Sequence, residues 1–196
     1  MALIECYECK GKVSSKAKAC PHCGLPIEVE IGYYENGQMQ DLTFKKDGVW
    51  DGLQTEWYEN GQKMSELNFK DGLMHGLETT WRESGQKTWE RTLKDGEQDG
   101  LETAWYQNGQ KKSEVICKDG KVMSAKVWKP NGEKCPVTGL KDGNGLLALW
   151  HVNGQKSSEA KFKNGKREGR MIYYNYDGTE MGSIKYMDGE RIYDFD

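Results

Sequence analysis

Apolar and polar positions alternate through most of the chain. Leu53, Thr55 and Trp57 project to one side of an extended strand, and Leu77-Thr79-Trp81 and Leu101-Thr103-Trp105 repeat the arrangement. Glu78, Thr80 and Arg82 fill the intervening positions. On the returning segments Leu67 with Phe69, Val115 with Cys117 and Ala160 with Phe162 occupy equivalent slots. Helical spacing fits these positions less well, so the pattern predicts strands from Gly32 onward.

The turns between those strands carry their own period. Gly37, Gly61, Gly85, Gly109, Gly132, Gly154 and Gly178 form one series, mostly preceded by asparagine. Gly48, Gly72, Gly96, Gly120, Gly143, Gly165 and Gly189 form a second, usually preceded by aspartate and each eleven residues after its partner. Asn-Gly and Asp-Gly supply the positive φ angles of primed hairpin turns. Seven hairpin units follow, joined by loops such as "DGLMHG" that leave no room for a crossover helix. The expected fold is all-β: an elongated, single-layer antiparallel meander of about fourteen strands over residues 28–196. Two places should be irregular. The first unit has "FKKDG" where others have "FKDG", which displaces its alternation by one residue, and the fifth carries Pro130 and Pro136.

Residues 1–27 read differently. Cys6, Cys9, Cys20 and Cys23 form two Cys-x-x-Cys knuckles with ten residues between them. Paired knuckles assemble the four-thiolate tetrahedron that zinc prefers, and a segment this short needs metal binding to fold. Two disulfides are the competing arrangement, which requires an oxidising compartment. His22 lies inside "CPHC", but four cysteines already fill the site, and a closed cage points to structural Zn2+ rather than catalysis. The segment resembles the short zinc ribbons at the N-termini of many bacterial proteins.

"WYENGQK", "WRESGQK", "WYQNGQK", "WKPNGEK" and "WHVNGQK", each followed by "KDG" or "KNG", resemble the MORN-repeat variant family of bacterial proteins, some of them labelled YwqK-type antitoxins. The resemblance covers about residues 32–193. It implies a twisted single sheet whose aromatic residues line a groove, and interaction modules more often than enzymes.

Trp57, Trp81, Trp105, Trp128 and Trp150 recur at one position of the unit, with Tyr34 and Tyr174 standing in at the ends. As a ladder along one face they could each bury about 200 Å² and form the core. Trp50 departs from the repeat. At the tip of "DGVWDG" it is either a partner-binding anchor or a packing residue against the ribbon or first hairpin. Trp89 has an inward phase, Cys117 takes the Phe69 slot as a buried thiol, and Cys135 precedes Pro136 in the irregular unit.

The formal charge of -3 disfavours general attraction to nucleic acid or anionic lipid. Neither a membrane-length apolar run nor a signal-peptide core is present, so a cytoplasmic protein is expected. No nucleophile elbow, zincin spacing or phosphate loop occurs; His75 and His151 are scattered, and Glu56, Glu78 and Glu102 read as outward charges. Two functions stand. One is a non-enzymatic protein-binding scaffold, in the form of an antitoxin or immunity protein covering a toxin. The other is a zinc-ribbon adaptor associated with nucleic acid, for which the repeats are an assembly platform. No small-molecule substrate is expected.

Overall fold

The computed structural model describes residues 3–6, 8–25 and 27–193, and all regular secondary structure among them is strand. In chain order the strands are β1 (Leu3–Glu5), β2 (Lys12–Ser14), β3 (Glu28–Tyr33), β4 (Met39–Lys46), β5 (Val49–Trp57), β6 (Lys63–Lys70), β7 (Leu73–Trp81) and β8 (Lys87–Lys94). They continue as β9 (Glu97–Trp105), β10 (Lys111–Lys118), β11 (Lys121–Val127), β12 (Gly145–Trp150), β13 (Lys156–Lys163), β14 (Lys166–Tyr174), β15 (Glu180–Met187) and β16 (Glu190–Ile192). β1 and β2 pair with each other, β3 to β11 form a nine-stranded meander in chain order, and β12 to β16 form a five-stranded one. Two compact units divide the chain, residues 1–85 with 93–96 and residues 86–92 with 97–196.

The two glycine series make different turns. At the Asp-Gly sites both residues are left-handed, as in Asp71 (φ 50) and Gly72 (φ 80), which is the two-residue primed turn the sequence implies. At the Asn-Gly sites only the glycine is, for example Gly61 (φ 80), while the asparagine keeps an ordinary backbone. Tyr58 and Gly61 close that longer turn through Gly61 N to Tyr58 O at 2.8 Å, and Tyr58 N donates to Gln62 O at 2.9 Å. Asparagine is used there for its side chain: Asn60 Oδ1 accepts from Gln62 N, and Asn60 Nδ2 reaches Glu83 O in the next hairpin repeat at 3.1 Å.

Cross-strand register decides which side chains share a face. Leu42 lies opposite Thr55, Thr55 opposite Glu66, and Glu66 opposite Thr79. Thr43, Gln54, Leu67 and Glu78 form the next row, on the other face. The returning pair Leu67 and Phe69 therefore does not share a side with Leu77, Thr79 and Trp81. Phe69 stands opposite Gly52, and the same pairing recurs as Cys117 with Gly100, Phe162 with Gly145 and Tyr186 with Gly169. The second glycine of the "DGxxxG" loop is required by its backbone, since Gly52, Gly76, Gly100, Gly145 and Gly169 all have positive φ, from 76 to 131. In the first hairpin the turn spacing is unchanged, but leucine and phenylalanine fall one place earlier. Leu42 takes the slot of Glu66 and Phe44 that of Asn68, so both emerge on the Thr55 face.

The tryptophans are not the deepest layer. Trp57, Trp81, Trp105, Trp128 and Trp150 are all half-buried, whereas Thr55, Thr79 and Thr103 between them are 4–5% exposed. With no helix to cover the rings, lysines do so. Lys63 Nζ sits 6.0 Å from the Trp81 ring centroid, Lys87 5.8 Å from Trp105, and Lys156 5.3 Å from Tyr174. Each of these lysines is also paired with the glutamate three residues on, Glu66, Glu90 and Glu159. Trp89 is likewise half-buried, with the Arg91 guanidinium 4.8 Å above its ring, rather than a core residue.

In the second unit the fifth repeat loses its returning strand. Pro136 has no N–H to offer a ladder, and residues 134–144 form only the isolated bridges Trp128 with Lys134 and Lys141 with Asn144. The expected single sheet is thereby replaced by two. The gap is closed by packing instead: Val127, Cys135 and Ala148 form one buried cluster, and Leu140, Ala160 and Phe162 another. Thr138 Oγ1 donates to Ala148 O at 3.2 Å and accepts from Ala148 N at 3.3 Å.

Candidate metal centre and repeat faces

β1 and β2 bring the knuckles together, with Leu3 opposite Ser14, Ile4 opposite Val13 and Glu5 opposite Lys12. Both knuckles close alike. Cys6 O accepts from Lys10 N at 2.9 Å, and Cys20 O accepts from Gly24 N at 2.8 Å. The closing residues are both left-handed, Lys10 at φ 61 and Gly24 at φ 76. The Sγ atoms of Cys6 and Cys23 are 3.7 Å apart, those of Cys9 and Cys20 3.6 Å, and all four lie within 4.8 Å of one another. Metal–sulfur bonds near 2.3 Å in a tetrahedron place sulfurs about 3.8 Å apart, so the donor set fits a zinc-sized thiophilic cation. No pair is at disulfide distance, and all six cysteines are free.

The four sulfurs are unequal. Cys6 is 0% and Cys20 2% exposed, whereas Cys9 and Cys23 face solvent. Burial opposes ionisation of Cys20, but the backbone N–H groups of His22 and Cys23 and the neighbouring thiols outweigh it, bringing its pKa to about 6. His22 stands outside the cage. Its ring covers Gly11, where an added Cβ would meet His22 Cδ2 at 2.5 Å.

The ribbon is seated on the first hairpins. Ile4, Cys6, Val13, Cys20 and Ile27 share one buried cluster with Leu42 and Phe44, and Leu53 and Trp57 pack against it. These are the residues that the one-place displacement turns toward the Thr55 face. Fully burying a leucine or phenylalanine stabilises by about 1.5–3 kcal/mol each, so the displacement alone supplies a substantial part of the attachment. The sequence signal for this seam is "FKKDG" at constant turn spacing.

Trp50 packs edge-on against Phe69 of the next hairpin, with ring centroids 4.9 Å apart, and remains 43% exposed. Neighbouring tip residues Val49 and Leu73 are 48% and 51% exposed. Leu77, on the tryptophan side of β7, is 50% exposed. In the second unit Leu101 and Ile116 oppose each other across β9 and β10 at 47% and 49%.

The remaining cysteines differ in character. Burial pushes the Cys117 thiol up to about 11, with the Glu102 carboxylate adding to the rise. At Cys135 burial raises the pKa, but the Thr138 hydroxyl at 3.3 Å and the backbone N–H groups of Val137 and Thr138 more than offset it, leaving the thiol below its ordinary value.

Together these features define a β-hairpin repeat protein carrying a four-cysteine ribbon. Residues 50–71 and 98–117 match the family model described as MORN repeat variant, and each segment holds one Asp-Gly-bounded strand pair. No curated protein sequence matches the chain.

Proposed function

We propose that this chain is a non-enzymatic scaffold that binds another protein, with a structural zinc ion in its ribbon, acting in the bacterial cytoplasm. The bound protein is in this reading a toxin that the chain covers and neutralises. The supporting observation is how side chains vary on a fixed backbone. The residue after each turn of the second glycine series is Val49, Leu73, Glu97, Lys121, Asn144, Lys166 or Glu190, and the apolar ones are about half exposed. A sheet held by repeated turns presents such residues with little ordering cost on binding, and MORN repeats are in general interaction modules. Cytoplasmic placement is favoured by the four-thiolate geometry, which needs reduced sulfur.

Affinity purification of the full chain from its native host tests the proposal. One stoichiometric protein partner, weakened by Trp50→Ala or Leu73→Ser, is the expected result. Retention of nucleic acid that elutes with rising salt would instead favour the ribbon-adaptor alternative.

A further inference from the structure

We infer that the four-cysteine site fastens a lid: a thiophilic cation bound there closes the ribbon onto the Leu42–Thr55 face of the first hairpins, and its loss bares that face. The metal site and the docking seam share atoms. Cys6 and Cys20 are buried in the same cluster as Ile4, Val13, Leu42 and Phe44, while Cys9 and Cys23 are open to solvent and to a competing chelator.

Little else holds the ribbon in shape. Its strands are three residues each, joined over three residue pairs, which is too small a structure to persist without its metal. The seam itself is incompletely filled. A solvent-open cleft of about 270 Å³ lies between Leu3 and Ile4 on the ribbon and Met39, Leu42, Leu53 and Trp57 on the sheet. Water therefore reaches this edge of the seam, and no strand pairing joins β1 and β2 to the larger sheet, so the two surfaces separate more readily than the strands of the sheet do. β4, β5 and β6 keep their own ladders whether or not the ribbon is present, so opening exposes an apolar face on an intact sheet.

Coupling of this kind is reciprocal: if metal binding favours docking, docking must favour metal binding by the same factor. Phe44 supplies no ligand atom, yet Phe44→Ala should weaken zinc affinity. Such couplings commonly amount to about 5- to 150-fold, and about tenfold or more is expected here. The experiment is a zinc-chelator competition on the full chain, for wild type, Phe44→Ala, Leu53→Ala as a milder seam variant that keeps the test open should Phe44→Ala fail to fold, and Phe162→Ala as a buried control in the other unit. Circular dichroism, binding of an apolar-surface dye and tryptic cleavage at Lys12, Lys16 and Lys18 are followed in parallel.

Support consists of weakened zinc binding in the seam variants alone, together with dye binding and ribbon cleavage on chelation while the strand signal persists. Folded seam variants with wild-type zinc affinity overturn the inference, as does chelation that leaves dye binding and cleavage unchanged or that melts the strands throughout. The inference rests on reading the cysteine cluster as a metal site. If wild type itself binds no zinc, that reading falls, whereas binding without coupling sinks the lid alone.

Discussion

Gly145 begins β12 at the point where the second sheet starts, and it offers a sharp test of how that joint is built. Its φ is 128°, a conformation essentially confined to glycine, and an added Cβ would lie 2.0 Å from Gly139 O and 3.1 Å from Leu140 Cα. Both obstacles are backbone, so no rotamer change relieves them. Gly154, in the next turn, has φ 84° and nothing within 4 Å of an added Cβ. Gly154→Ala should therefore cost only the left-handed penalty, about 1–2 kcal/mol. Gly145→Ala adds the rarer backbone conformation, about 1–3 kcal/mol, to displacement of a packed segment, about 1–3 kcal/mol more, for roughly 2–6 kcal/mol in total. Phe162 opposite Gly145 and Leu140 beside it belong to one buried cluster, so the disturbance reaches the core. Urea denaturation of both variants, followed by far-ultraviolet circular dichroism, measures the difference. Equal destabilisation would refute the claim that the 134–144 segment presses on the β12 backbone.

Other consequences follow from single contacts. Tyr58 Oη donates to Trp81 O and Tyr106 Oη to Trp128 O, each at 2.8 Å, whereas Tyr176 is 61% exposed. Tyr106→Phe should cost about 1–3 kcal/mol and Tyr58→Phe about 0.5–1.5 kcal/mol in thermal or urea unfolding, with Tyr176→Phe near zero. The Lys156 ammonium, bonded at 2.7 Å, holds the Glu159 carboxyl below its usual range; burial acts the other way, and the Tyr174 hydroxyl at 2.8 Å adds to the lowering. A depressed folded-state pKa contributes stability above the ordinary glutamate range that is lost as pH falls through the folded value. Glu159→Gln should therefore flatten the acid limb of a stability profile below about pH 4. Gly11→Ala should displace His22 from its knuckle and weaken zinc binding, and adding His22→Ala should restore it in a chelator competition; no recovery would mean that Gly11 acts through its backbone instead.

Much of this architecture is written locally. Asp-Gly turns at constant spacing and two-residue alternation are short-range signals, and each strand pair from β3 to β10 follows from them. The four cysteine positions are equally legible because knuckle spacing is itself the geometry of the site. What alternation cannot reveal is which face receives cover. Thr55, Thr79 and Thr103 look like weak core residues beside tryptophan, yet at 4–5% exposure they are buried more deeply than the half-buried rings. Gly52 and Gly100 read as loop glycines until register sets Phe69 and Cys117 opposite them. Loss of the fifth returning strand was signalled by Pro136, but its replacement by two side-chain clusters depends on contacts far apart in sequence. Asn60 and its equivalents show the converse error, since the same dipeptide forms a different turn when its side chain has a neighbouring unit to bond.

The account depends most on the ribbon resting on the face to which a one-place displacement turns Leu42 and Phe44. Nuclear Overhauser spectroscopy of the zinc-loaded chain addresses it directly, with the methyl groups of Ile4 and Val13 as reporters. Cross-peaks from these methyls to the Phe44 ring and the Leu42 methyls, with none to Leu67 or Phe69, are predicted. Cross-peaks to Leu67 or Phe69, or none to any sheet residue, would contradict it.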